Sequence, residues 1–150
     1  MDTARKLYRL MFDYYVNVKH LDNLIWVWNA QNVDWYPGDE YVDIIGEDIY
    51  PDAHSHTSES DRFLKATKYT DTRKMIVLSE NGSMPDPDLM LRDGTLWGFF
   101  ATWSGDFVIH SGTALSNKYT NEDVLNRIYN SDLVITRDEM PDIRTYPLPE

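Results

Sequence analysis

The sequence predicts an α/β fold built on a parallel sheet with helical cover. Short apolar runs alternate along the chain with stretches of helical periodicity, the order expected of β/α repeats. One run, Met75-Ile76-Val77-Leu78, is continuously apolar, as a strand buried on both faces must be. Such a sheet is either open and doubly wound or part of a barrel. The 150 residues, 42% of them hydrophobic, suffice for one domain with a real core, taken as residues 1–150.

Leu7, Leu10, Met11, Tyr14, Tyr15 and Val18 recur at the spacing of one helical face, with Asp2 or Thr3 as N-cap, and predict the first helix. After Asp22-Asn23, the aromatic and β-branched run Leu24-Ile25-Trp26-Val27-Trp28 predicts a buried strand ending near Asn29. Residues 32–39 are punctuated by Pro37-Gly38 and read as a loop. The next strand runs from Tyr41 through Gly46 to Tyr50, where Pro51 stops it.

The second half repeats the pattern. Ser58 to about Tyr69 predicts a helix with Phe63 and Ala66 inward, feeding the strand that ends at Glu80. Pro85 and Pro87 break the chain before a short helix near Asp88 to Arg92. Trp97 to Trp103 makes a fourth strand, closed by Ser104-Gly105. A last helix is expected to start at Thr120, whose spacing to Asp123 fits a capping box, with Val124, Leu125, Ile128 and Tyr129 as its apolar face. Four strands do not close a (β/α)8 barrel, which typically takes about 250 residues.

Charge and composition narrow the function. A formal net charge of −11 argues against a nucleic-acid surface, which needs clustered Lys and Arg to neutralise phosphates. The sequence holds no apolar run of the roughly 18 residues that a membrane span requires. A neutral glycan is not opposed. Five Trp and ten Tyr suit it, because a flat aromatic face packs on the apolar face of a sugar ring, although the same residues also fill cores. Cysteine is absent, so no disulfide reports on the compartment. Met1-Asp2-Thr3 is not expected to open a signal peptide, lacking a charged segment followed by an apolar one.

Glu80 is the candidate catalytic carboxylate, because it ends the most apolar strand and Asn81-Gly82 turns the backbone directly after it. His54-Ser55-His56 offers two alternating ligands without a third nearby, so it reads as a solvated loop, and no metal or cofactor is implied. Asp86-Pro87-Asp88 reads as turn and N-cap chemistry rather than a calcium loop. Asn81-Gly82-Ser83 has the form of a glycosylation acceptor. A glycan beside Glu80 would block a cleft there, so the acceptor is expected to stay unused.

Asn23-Leu24-Ile25-Trp26-Val27-Trp28-Asn29, the segment from Asp34 to Gly46, Asp48-Ile49-Tyr50, Ser79-Glu80-Asn81-Gly82 and Thr102-Trp103-Ser104-Gly105 together resemble glycoside hydrolase family 26, the endo-β-1,4-mannanases. The similarity continues through Val134-Ile135-Thr136, Asp138-Glu139 and Pro141. It implies a TIM barrel of which the C-terminal half, strands five to eight, is present. It implies that Glu80 matches the strand-seven nucleophile and Tyr50 the tyrosine that hydrogen-bonds it, a contact that stabilises an ionised carboxylate. Trp103 matches the tryptophan beneath the sugar at the cleavage subsite. Trp28 and Trp35 are further substrate-binding candidates: Trp28 is either cleft wall or barrel filling, and Trp35 either a distal sugar platform or a cap over the strand ends. Trp26, with continuous apolar neighbours, is assigned to packing.

The family's acid/base sits on strand four, which would fall before Met1. A retaining glycosidase needs two carboxyl groups roughly 5 Å apart, so the chain by itself is expected to hydrolyse mannan negligibly. Asp48 shares strand parity with Tyr50 and is the nearest local substitute, with a loop-holding role as its plainer reading, while Glu47 points to the helices. The implied partners are a β-mannan or related polysaccharide in an extracellular setting, and an N-terminal half-barrel or a second copy of the chain. The alternative is a non-catalytic glycan-binding or self-associating module. In either case unpaired sheet edges are expected to drive association.

Overall fold

The computed structural model describes residues 2–110, 112, 114–142 and 144–145. Four strands, β1 (Val27–Trp28), β2 (Ile44–Ile49), β3 (Met75–Asn81) and β4 (Phe100–Thr102), form one sheet in sequence order. Every pairing in it is parallel, as expected. Helices α1 (Asp2–Asp13), α2 (Ser60–Ala66), α3 (Pro87–Asp93) and α4 (Glu122–Tyr129) accompany it. A small antiparallel pair, β5 (Ile109–His110) and β6 (Ala114–Leu115), follows β4 and was not foreseen. The architecture is that of part of an α/β barrel. Among the described residues no helix is long and apolar enough to cross a membrane.

The core lies between the sheet and its helices. Trp28 pairs with Ile45, and Ile45 with Ile76, so these side chains share one face. With Ile49 and Leu78 they pack against Ala66, Tyr69, Met90 and Trp97. Phe63 meets Trp97 edge to face at 5.0 Å, and Ala66 is fully buried, both inward as expected. On the opposite face, Val27 and Met75 are exposed, as is Phe99 just before β4.

Several element boundaries differ from the sequence expectation. The apolar stripe of α1 is solvent-facing: Leu7 and Leu10 are each 66% exposed and Val18 61%. The helix docks instead through the neighbouring side, where Tyr8 and Phe12, one turn apart, lie against Trp26. Arg5 and Arg9 on adjacent turns donate to the carbonyls of Asp34 and Pro37 at 2.6 and 2.7 Å. Rings and guanidinium groups that reach the following loop decide the orientation, and periodicity cannot see that loop. The helix also continues in wider π turns over Tyr14–Val18.

β1 keeps only two residues of the expected run, leaving Leu24 and Ile25 exposed. Its start is taken by a local clasp, in which the Trp26 N–H donates to the Asp43 carboxylate and the Asp43 N–H donates back to the Trp26 carbonyl, each at 2.8 Å. β2 begins at Ile44 rather than Tyr41, because Asp39–Tyr41 closes a 3-10 turn. α4 starts at Glu122 without the capping box expected at Thr120. The buried Thr120 hydroxyl accepts from the Met84 N–H at 3.1 Å, so it serves the loop after β3. A capping box does form further on, between Thr136 and Glu139. Asp86 caps α3, accepting from the Asp88 N–H at 2.9 Å, and pairs with Arg127 of α4 at 2.9 Å.

Among the described residues, one charge is fully buried in this core. Glu47 projects toward α2, as expected from its parity, with 0% exposure, and Arg62 of α2 reaches it at 2.5 and 3.0 Å. Its second oxygen, Oε1, has no hydrogen-bond partner. A buried pair of this kind adds little over an apolar replacement, but half of it left alone is costly. Arg62→Met should therefore lower unfolding free energy by about 3 kcal/mol, while Glu47→Leu combined with Arg62→Met recovers much of that loss. Urea denaturation midpoints at constant slope read both values; an Arg62→Met variant as stable as the parent would show that the pair is not closed in solution.

Candidate active site

Strict alternation along β3 would place Glu80 on the same face as Leu78, toward the helices. The sheet prevents this. β2 and β3 pair Glu47 with Leu78 and then Asp48 with Glu80, leaving Ser79 as one extra residue in β3. The offset turns Glu80 onto the face of Asp48, away from the helical core, which is the use bulges find beside reactive centres. The β3–β4 register shifts over the same stretch.

On that face Tyr50, just past the end of β2, donates its hydroxyl proton to Glu80 Oε2 at 2.6 Å. Desolvation, the hydrogen bond to Glu80 and the charges of Glu80 and Asp48 push the Tyr50 phenol up to about 12. It is therefore a donor throughout the neutral range. Asp48 accepts from Ser79 Oγ at 2.6 Å and from Asn29 Nδ2 at 3.2 and 3.4 Å, so one carboxylate ties together the ends of β1, β2 and β3. Gly46 makes room for this knot: a Cβ there would stand 2.5 Å from Ser79 Oγ and 3.0 Å from Asn29 Cβ. Asp48 thus holds strand ends through side chains, rather than loop backbone or a basic neighbour as its plainer reading expected.

Trp103 follows β4, its N–H donating to the Asn81 carbonyl at 2.9 Å, and its indole is 49% exposed. Trp28 is a correction. It is 3% exposed and wedged edge-on between Tyr36 and Tyr69 on the helix side of the sheet, so it fills the core and cannot line a cleft beside Glu80. Trp35 is 43% exposed in a 3-10 turn beside α1 and β1, two strands from Glu80. Trp26 packs against Tyr8, Phe12 and Tyr15.

The remaining motifs are structural. The His56 ring sits 2.7 Å from the Met84 carbonyl, so Nδ1 carries the proton and pins the loop after β2 to the loop after β3. His54 contributes its backbone N–H to the Tyr119 carbonyl at 2.8 Å. Among the described residues no three His, Cys, Asp or Glu side chains cluster to hold a metal.

Two sets of contacts around the site were not legible in the sequence. The Ser79–Asp48–Asn29 knot depends on a register shift. Phe107, in a segment without periodicity, packs against Tyr50, and Tyr119 stacks on the Phe107 ring.

A family model described as Glycosyl hydrolase family 26 matches residues 1–139. The chain is 37% identical over 139 residues to a mannan endo-1,4-beta-mannosidase of Thermothelomyces thermophilus, covering 93% of this chain and 27% of the relative. It is 35% identical over 136 residues to mannan endo-1,4-beta-mannosidase A of Piromyces sp, covering 91% of this chain and 21% of that protein. Among solved structures, it matches a β-mannanase from a symbiotic protist of the termite Reticulitermes speratus complexed with gluco-manno-oligosaccharide. That match has a TM-score of 0.78 and 39% identity over 91% of this chain and 41% of the other. The chain spans about a quarter of the length of the curated relatives it matches.

Asn81 is 1% exposed and its Nδ2, the atom a glycan would be attached to, donates to Thr102 Oγ1 at 3.0 Å and to the Ser83 carbonyl at 3.3 Å. The folded chain has no room for a sugar there. Peptide mass spectrometry of material secreted from a glycosylating host should find residue 81 unmodified; a glycan on folded, homogeneous protein would refute this placement.

Proposed function

We propose, since this chain belongs to glycosyl hydrolase family 26, that it supplies the C-terminal half, strands five to eight, of the (β/α)8 catalytic barrel of a retaining endo-β-1,4-mannanase. The observation that carries the reading is Glu80 at the C-terminal end of a parallel strand, turned off the helical face and held by the Tyr50 hydroxyl. That end of the strands is where a barrel collects its reactive groups.

In this reading the free oxygen of Glu80 attacks the anomeric carbon of a mannosyl unit as the glycosidic C–O bond breaks. The departing oxygen takes a proton from a second carboxylic acid. A covalent glycosyl-enzyme results, and water, giving its proton back to that second group, releases the sugar and restores Glu80. Tyr50 fixes the rotamer of Glu80 and stabilises its charge before attack. Trp103 presents an exposed indole face to the ring at the cleavage point, and Trp35 serves as a more distant platform.

Asp48 is a poor second carboxyl group, because Ser79 and Asn29 already occupy it. The acid/base of the family, on strand four, has no match in these residues. The substrate is a β-mannan or related polysaccharide met outside the cell, and an N-terminal half-barrel covers the exposed face that bears Val27, Met75 and Phe99. That exposed face also favours a second reading, a non-catalytic module in which another copy covers it.

Co-expression with the strand-one-to-four half of a mannanase relative tests the proposal. Reducing ends should be released from mannan by the pair and not by the 150-residue chain. Glu80→Gln should cut the rate by at least roughly 10³-fold, and Tyr50→Phe, which deletes one hydrogen bond to a charged group, by about 10- to 100-fold. Hydrolysis by the chain alone that Glu80→Gln abolishes would overturn the need for a second half, and a rate indifferent to Glu80→Gln would overturn the nucleophile.

A further inference from the structure

A tyrosine that exposes 48% of its surface could swing freely in solvent, yet Tyr50 is aimed at one carboxylate oxygen. The packing around its ring explains the aim. Phe107, at the end of a 3-10 turn (Gly105–Phe107) after β4, meets the Tyr50 ring edge to face at 5.7 Å. On its other side Phe107 stacks on Tyr119, with centroids 4.1 Å apart and planes 25° off parallel. Tyr119 is itself anchored from two directions, its carbonyl accepting from the His54 N–H at 2.8 Å and from Ser83 Oγ at 3.0 Å.

The turn bearing Phe107 is fastened as well. The Asp106 carboxylate accepts from Lys118 Nζ at 3.0 Å and from His110 Nδ1 at 2.8 Å, and its carbonyl accepts from Ser116 Oγ at 2.5 Å. Gly82, two residues past Glu80, closes the arrangement. A Cβ there would come within 3.1 Å of Phe107 Cε1 and 3.2 Å of Tyr50 Cδ1. The two rings meet directly over the turn that follows the carboxylate.

We propose that Phe107 is a positioning residue, braced by Tyr119 and Asp106, that holds the Tyr50 hydroxyl on Glu80, with Gly82 leaving the space the brace occupies. The inference rests on the reading of Glu80 and Tyr50 given above, but its geometry is testable without any hydrolysis. Phe107 touches no substrate in this role. It removes the outward rotamers of Tyr50 by filling the space behind the ring, so the hydrogen bond to Glu80 forms without a further ordering cost.

The test uses the 150-residue chain with ¹³C-labelled tyrosine, the Tyr50 resonance being assigned by its loss in Tyr50→Phe. In the parent, Tyr50 should show no ionisation at the ordinary phenol midpoint of 10.0. In Phe107→Ala the ring is freed from Glu80 and its midpoint should fall by about one pH unit. Gly82→Ala should move it the same way, and Phe107→Tyr, which keeps the stacked ring, should restore the parent value. If Phe107→Ala does not fold, Phe107→Leu, which keeps volume without a flat face, takes its place and should give a smaller fall in the same direction.

A Tyr50 midpoint unchanged in the folded Phe107 variants overturns the proposal. In the complemented barrel, Phe107→Ala should lower kcat about 10-fold with little change in KM, and should cost nothing further in a Tyr50→Phe background. An equal loss in both backgrounds overturns it too. Failure of the mannanase reading is seen separately, as absence of hydrolysis in the complemented parent.

Discussion

The orientation of Glu80 depends on β3 being one residue longer than its neighbours over the stretch that ends the sheet. With unbroken alternation, Leu78 and Glu80 would share a face, and a carboxylate would enter the layer already filled by Ile45, Ile49 and Trp97. Because Asp48 pairs with Glu80 and Ser79 is left over, the carboxylate leaves the core and finds the Tyr50 hydroxyl. Ser79 is not idle in this exchange. Its hydroxyl donates to Asp48, so the residue that creates the offset also helps to lock it.

That lock would mean little on a soft sheet. Below it, each strand contributes apolar residues to one helix-side core, and the fully buried charge there, Glu47, is met by Arg62 from α2. Above it, three loops converge: the one after β2 through His54, the one after β3 through Ser83, and the one after β4 through Phe107 and Tyr119. The rigid layer sets the strand ends, and the loops set the rings. Reactive groups placed on strand ends and steadied by loop contacts need less reorganisation when charge moves.

The sheet was legible because a buried parallel strand leaves an apolar run, and β3 did so from Met75 to Leu78. The helix-facing choice for Glu47 was legible from parity, and Phe63 and Ala66 from periodicity. What depended on distant chain was not. The side of α1 that docks is decided by carbonyls at Asp34 and Pro37. Trp28, open between wall and filling in the sequence, was settled by its register with Ile45. Thr120 had the spacing of a cap but was claimed by the Met84 N–H. Parity gave the direction of Asp48 but not of Glu80, since an inserted strand residue leaves no mark in composition or period.

In the nucleophile role proposed for Glu80, a tyrosine is the partner that leaves the carboxylate what it needs. An arginine in its place would form a bidentate pair, occupying both oxygens and drawing on the negative charge that attack requires. A phenol covers one oxygen, here Oε2, and leaves the other open. Among the described residues Glu80 enters no ion pair. The neighbouring charge of Asp48 works in the same direction, because a phenol next to two carboxylates holds its proton more tightly and so remains a donor to Glu80. A neutral, ring-braced donor gives orientation to the carboxylate without neutralising it.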